Sequence, residues 1–231
     1  MVSGLYWSRG IRARNEDSIA YESVRSDRGD ATLMVVADGI GSLSSCEIAS
    51  GYIVECFIKW FYKYGIRMGK RSQRRIARSL RKCAYDCCSE LRTVGRLNGI
   101  NWGSTLSLVC IWKRRYVAVH LGDSPIVMIR RGQMHSLFPP DRNEKGMLTK
   151  AMGTMRYDAP DICFGRLRRG EGLLVASDGF LDKMKPCEIV SGLTLPGEIT
   201  EERITTMLAK LGKESERRGG ADNRSAIYIV G

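Results

Sequence analysis

Three aspartates stand at the ends of apolar runs, and this pattern constrains the fold more than any other in the chain. Asp38 follows Leu33-Met34-Val35-Val36-Ala37 and precedes Gly39. Asp178 follows Leu173-Leu174-Val175-Ala176-Ser177 and precedes Gly179, and Asp222 stands before Asn223 and the run Ala226 to Val230. A buried strand that ends in Asp is a rigid post for a carboxylate. Three such posts, with Glu16 and Asp17 upstream, suit a pair of hard cations held through oxygen. One Asp-Gly pair is an ordinary turn, so the weight rests on the whole set.

The chain has 231 residues and is 43% hydrophobic, enough for one large domain over 1–231 with a real core. No stretch approaches the roughly 20 apolar residues that cross a bilayer. Residues 1–14 hold no apolar segment of the signal-peptide kind, so a soluble, cytoplasmic protein is expected. The eight cysteines lack the density of a disulfide scaffold. Cys83 and Cys87 join Ile76, Leu80 and Leu91 in a helical apolar stripe, which reads as buried thiols rather than a zinc site. The formal charge is +12. Nine Lys or Arg and no acid lie between Lys63 and Lys82. That run reads as a solvated helix face; the functional reading is an anionic partner. No aromatic residue interleaves with Arg71 to Lys82, which disfavours nucleic acid.

Apolar patterning predicts strands at 4–7, 18–24, 31–37, 104–112, 115–121, 124–130, 133–138, 161–167, 172–177 and 224–230. Lys113-Arg114 and Arg131-Gly132 read as hairpin turns, the second with the stronger signal. A helix capped by Ser44 or Ser45 runs to about Tyr64 and is broken by Gly65 and Gly69. Further helices are expected over 72–93, 145–152 and 200–217. Antiparallel strands with few long helices give an α+β class: a four-layer α-β-β-α sandwich of two antiparallel sheets flanked by helices. All three aspartate posts could then meet at one end.

Seven motifs follow in order. They are Arg12-Ala13-Arg14-Asn15-Glu16-Asp17-Ser18, Val36-Ala37-Asp38-Gly39-Ile40-Gly41, Gly103-Ser104-Thr105, Leu121-Gly122-Asp123-Ser124, Leu148-Thr149-Lys150-Ala151-Met152-Gly153, Ala176-Ser177-Asp178-Gly179-Phe180 and Ala221-Asp222-Asn223. From Ser3 to Val230 the chain resembles the PPM-type (2C-class) metal-dependent serine/threonine protein phosphatases, above all the compact bacterial ones. The resemblance implies that Asp38 bridges two Mn²⁺ or Mg²⁺ ions and that the Gly39 carbonyl reaches one of them. It implies Asp178 and Asp222 as further ligands of the first ion, and Glu16 and Asp17 as the acidic pair for the second. Arg12 matches the arginine that grips the substrate phosphate, and Asp123 an aspartate that can join Asp178 at a third, weaker ion. Arg14 matches no fixed position and reads as solvated. His120 and His135 read as packing or surface residues.

The implied chemistry is hydrolysis of phosphoserine and phosphothreonine. A dinuclear site supplies a nucleophilic water at neutral pH, and one guanidinium helps offset the phosphoryl charge. Phosphorylated proteins are the expected partners, with Ser/Thr kinases in opposition and no membrane. The alternative is a non-catalytic regulator of the same fold that binds a signalling partner. Departures from the family pattern are Ile40 in the place of a proposed acid histidine, Ser42 and Leu43 in the place of Gly and His, and Pro125 in the place of Arg. The flap beside the site is cut to Met134–Met147 and stiffened by Pro139-Pro140.

Overall fold

Strand β3 (Ala31–Asp38) shows why the chain folds in layers. Leu33, Val35 and Ala37 face one apolar cluster, and Met34 and Val36 face another. A strand buried on both faces needs a layer on each side. β10 (Arg224–Val230) repeats the logic, with Ile227 and Ile229 on one face and Ala226, Tyr228 and Val230 on the other.

The computed structural model describes residues 1–27, 29–40, 45–154, 156–194 and 197–231. The remaining strands are β1 (Val2–Ser8), β2 (Asp17–Val24), β4 (Leu106–Trp112), β5 (Arg115–Leu121), β6 (Ile126–Arg130), β7 (Gln133–Ser136), β8 (Asp161–Arg166) and β9 (Gly172–Ala176). The helices are α1 (Cys46–Tyr64), α2 (Gln73–Asn98), α3 (Asp178–Leu181), α4 (Pro186–Leu193) and α5 (Glu201–Arg217), with a 3-10 helix over Gly65–Lys70. Two antiparallel five-stranded sheets result, in the orders β1-β10-β9-β6-β7 and β2-β3-β4-β5-β8.

Met34, Val109, Ile111, Leu173, Val175 and Ile229 pack between the sheets. α1 and α2 cover the second sheet through Phe57, Phe61, Leu80 and Leu91; α4 and α5 cover the first through Ile189, Ile204 and Leu208. Each fully buried side chain of this size contributes roughly 1.5–3 kcal/mol. The expected α+β four-layer sandwich is the observed architecture.

Several local expectations change. The helix expected over 145–152 does not form. Gly146 takes φ +76, the Asn143 side chain accepts from the amides of Lys145 and Met147, and Leu148 and Met152 bridge to Arg142 and Ser104. Local side-chain bonds outcompete the helix there. Ser45 adopts φ 55 and makes no side-chain cap, and Ser44 lies outside the described residues, as do Gly41, Ser42 and Leu43. Gly65 opens a 3-10 turn, and α2 runs on to Asn98. α3 and α4 were not legible as helices because each is short. Both hairpin turns form, and Lys113, Arg114, Arg131 and Gly132 all have positive φ, as a two-residue type I′ turn requires.

None of the eight cysteines, all of them among the described residues, forms a disulfide; Cys87 and Cys88 are buried and Cys83 is half-buried. The basic stretch occupies the end of α1, the 3-10 turn and the start of α2. Arg67, Lys70, Arg74, Arg75, Arg78 and Arg81 are exposed there. Among the described residues, no helix is long and apolar enough to cross a membrane.

Candidate functional site

The site forms at the rim where strand ends from both sheets meet. Asp17 opens β2 and lies opposite Asp38, which closes β3. Asp178 leaves β9 through Ser177 and opens α3. Asp123 sits on the turn from β5 to β6, and Asp222 just before β10. Asp38 is under the combined repulsion of Asp17, Asp178, Asp123 and Asp222. The tertiary structure therefore draws five of the expected acids into one electrostatic group. Glu16 lies to its side, facing Arg12, Glu47 and Asp222.

Backbone geometry fixes these posts. The amide of Asp38 donates to Thr105 Oγ1 at 3.0 Å, and the Asp38 carbonyl accepts from the amide of Thr105 at 2.8 Å. The amide of Gly39 donates to the carbonyl of Glu16 at 3.1 Å. A Cβ on Gly39 would lie 2.9 Å from that carbonyl oxygen and from two Cys46 atoms, so only glycine permits this approach.

Asp17 is buried. Its Oδ2 accepts from Ser177 Oγ at 2.8 Å and Ser225 Oγ at 2.6 Å. Its Oδ1 has no hydrogen-bond partner among the described residues. Burial pushes the carboxyl up to about 6; the two serine hydroxyls oppose that shift, and Asp178 and Asp222 add to it. Burial also raises Asp38 well above the usual carboxylate range, with the four neighbouring aspartates adding to it. Burial also raises Asp178, and the Arg142 guanidinium opposes that shift.

Arginines answer part of this charge. Arg12 Nη2 lies 3.1 Å from Asp222 Oδ2, with both side chains about half exposed (51% and 47%). A pair so placed adds at most about 1 kcal/mol to stability. Arg142 Nη2 lies 2.7 Å from Asp123 Oδ2 and 2.5 Å from Asp178 Oδ2. Arg14 is mostly exposed and pairs with Glu47. His120 is buried, bonded to Ser107 and stacked on Phe138, while His135 is exposed. Asp123, Arg142, Asp178 and Asp222 line an open groove of about 490 Å³.

The donor set fits hard divalent cations. It offers carboxylates and a backbone carbonyl, with an orphaned buried oxygen on Asp17. Among the described residues, no three His, Cys, Asp or Glu side chains stand as a closed ligand set. The acids repel one another, and guanidinium groups lie against Asp123, Asp178 and Asp222.

Two contributors escape a reading of the residues alone. Asn223 accepts from the Glu16 amide through Oδ1 and donates through Nδ2 to the carbonyls of Arg9 and Arg14. It thereby straps the loop carrying Arg12 and Glu16 to the start of β10. Its place beside Asp222 was a signal, but its role was not. Arg142 lies in the shortened segment and carried no signal at all.

The fold and this rim define a member of the protein phosphatase 2C family: the model of that family matches residues 10–215, and the chain belongs to it. The chain is similar to the serine/threonine protein phosphatase PstP of Mycobacterium tuberculosis, 22% identical over 94% of this chain and 42% of the relative. It thus spans less than half the length of that curated relative. Its fold matches Stp1 of Staphylococcus aureus with a TM-score of 0.86, 21% identity and coverage of 100% and 95% of the two chains. It also matches the serine/threonine phosphatase of S. agalactiae with a TM-score of 0.81, 20% identity and coverage of 99% of each chain.

Proposed function

We propose that the chain is a single metal-dependent phosphatase domain that hydrolyses phosphoserine and phosphothreonine in proteins, in the cytoplasm and in opposition to Ser/Thr kinases. The observation that carries this reading is the gathering of Asp17, Asp38, Asp123, Asp178 and Asp222 at one rim, beside Arg12. Family membership and the names of the relatives support the reaction class.

Asp38, Gly39, Asp178 and Asp222 would hold one ion; Asp38, Glu16 and Asp17 would hold the second, directly or through water. Two Mn²⁺ or Mg²⁺ ions, when bound, supply a nucleophilic water at neutral pH and positive charge beside the phosphoryl oxygens. Arg12 sits on the exposed edge, where its guanidinium can leave Asp222 for a phosphate dianion and form a bidentate contact. Ser177 and Ser225 keep Asp17 oriented through Oδ2, which leaves Oδ1 for the ion. Ile40 brings no acid to the leaving group, so the departing oxygen takes its proton from water. The groove between Arg142 and Asp222 is open, consistent with a protein substrate rather than an enclosed small molecule.

Purified protein should release phosphate from p-nitrophenyl phosphate and from phosphoserine or phosphothreonine peptides with Mn²⁺, and not with EDTA. Asp38→Asn and Asp178→Asn should each lower turnover by orders of magnitude while circular dichroism stays unchanged. The reading fails if no metal-stimulated turnover is found on any of these substrates. Calorimetric heat on adding Mn²⁺ without turnover would favour the non-catalytic regulator.

A further inference from the structure

We infer that Arg142 is a resident cation that joins Asp123 to Asp178 and keeps a divalent ion out of the space between them. The centre then takes two ions and not three. This rests on the dinuclear reading above and concerns only how many ions the rim accepts.

A single nitrogen makes the bridge. Arg142 Nη2 is 2.7 Å from Asp123 Oδ2 and 2.5 Å from Asp178 Oδ2. Asp123 comes from the β5–β6 turn and Asp178 from the head of α3, so the guanidinium ties two separate elements. Two neighbouring carboxylates need a positive charge between them, and an arginine carries one at every working pH.

The loop holds Arg142 in place from behind. The Asp141 amide donates to the carbonyl of Gly122 at 2.8 Å, and the Gly122 amide donates to Asp141 Oδ2 at 3.0 Å. Those reciprocal bonds anchor the loop to the turn that carries Asp123. Asp141 Oδ1 also pairs with Lys150 Nζ at 2.7 Å. Arg142 bridges to Leu148, and its Nη1 donates to the carbonyl of Gly146 at 3.1 Å. Asn143 folds the intervening turn by accepting from Lys145 and Met147. The guanidinium is thus fixed by its backbone, by one carbonyl and by both carboxylates. An ion entering between Asp123 and Asp178 would meet this fixed charge at contact distance and find the carboxylates already neutralised.

The test counts Mn²⁺ ions bound per chain by equilibrium dialysis with elemental analysis, and reads the classes of site by calorimetry. Wild type should bind two ions. Arg142→Ala should bind a third, more weakly, and Arg142→Ala with Asp123→Asn should return to two. Asp123→Asn alone should still bind two, because Asp123 faces the guanidinium. Near-ultraviolet circular dichroism would establish that each variant is folded. Three ions in wild type, two in a folded Arg142→Ala, or fewer than two in Asp123→Asn would each overturn the inference. No binding by wild type would remove the dinuclear reading and this inference with it.

Discussion

Asp17 and Asp38 face each other across the β2–β3 ladder as a register pair. The pairing holds two carboxylates at one strand end, where burial raises both and the charge of Asp17 raises Asp38 further. A slip of one residue would turn one of them to the opposite face. Close packing of differently shaped side chains on the two faces of β3, Leu33 and Val35 in one core and Met34 and Val36 in the other, opposes that slip.

Arg12 should separate function from stability. Its ion pair with Asp222 is half exposed, so Arg12→Ala should change unfolding free energy by no more than about 1 kcal/mol. Phosphate release should fall sharply, and Arg12→Lys should recover only part of it because lysine lacks the bidentate fork. Denaturant unfolding beside steady-state kinetics would check both.

Asn223 should act through the residues it straps. Asn223→Ala frees the amide of Glu16 and the carbonyls of Arg9 and Arg14. We expect Mn²⁺ affinity to weaken by about 10- to 100-fold, the range for partners that orient ligands. A titration calorimeter would read the change directly, and unchanged affinity would contradict the strap.

Gly39→Ala should destabilise the chain. The added Cβ would press on the carbonyls of Glu16 and Cys46 and on the Cys46 side chain, at 2.9 Å from each. A cost of about 1–3 kcal/mol is expected, seen as a lower urea midpoint with an unchanged slope.

His120 should give metal-free stability a pH dependence. Burial holds its imidazole below the usual value of 6.5, with nearby acids partly opposing the shift. As pH falls through about 6.5, the unfolded chain takes up protons that the native chain refuses. Stability is therefore full above that pH and declines below it. Comparing the unfolding free energies of wild type and His120→Gln at about pH 7 and about pH 5.5 isolates the effect. The wild type should lose more on acidification.

Much of the architecture was legible because burial imposes periodicity. The continuous apolar runs Leu33–Ala37 and Leu173–Ala176, of strand length, read as interior strands, and the stripe through Ile76, Leu80, Cys87 and Leu91 reads as a helix face; all of these residues are buried. The missed features lack such a signature. α3 is four residues long, too short to show a period. At 145–152, Asn143 and Gly146 wrote a turn where the apolar residues suggested a helix.

The sequence by itself determined the layers, the positions of the aspartate posts and the oxygen-donor chemistry they carry, because apolar patterning and residue chemistry are local properties. Only the tertiary structure decided that Ser225 would orient Asp17 from 208 positions away, that Arg12 would lie against Asp222 across 210, and that Arg142 would reach Asp178 across 36. Those contacts depend on how two sheets meet at one rim. Sheet order and packing set that meeting, and no run of neighbouring residues records it.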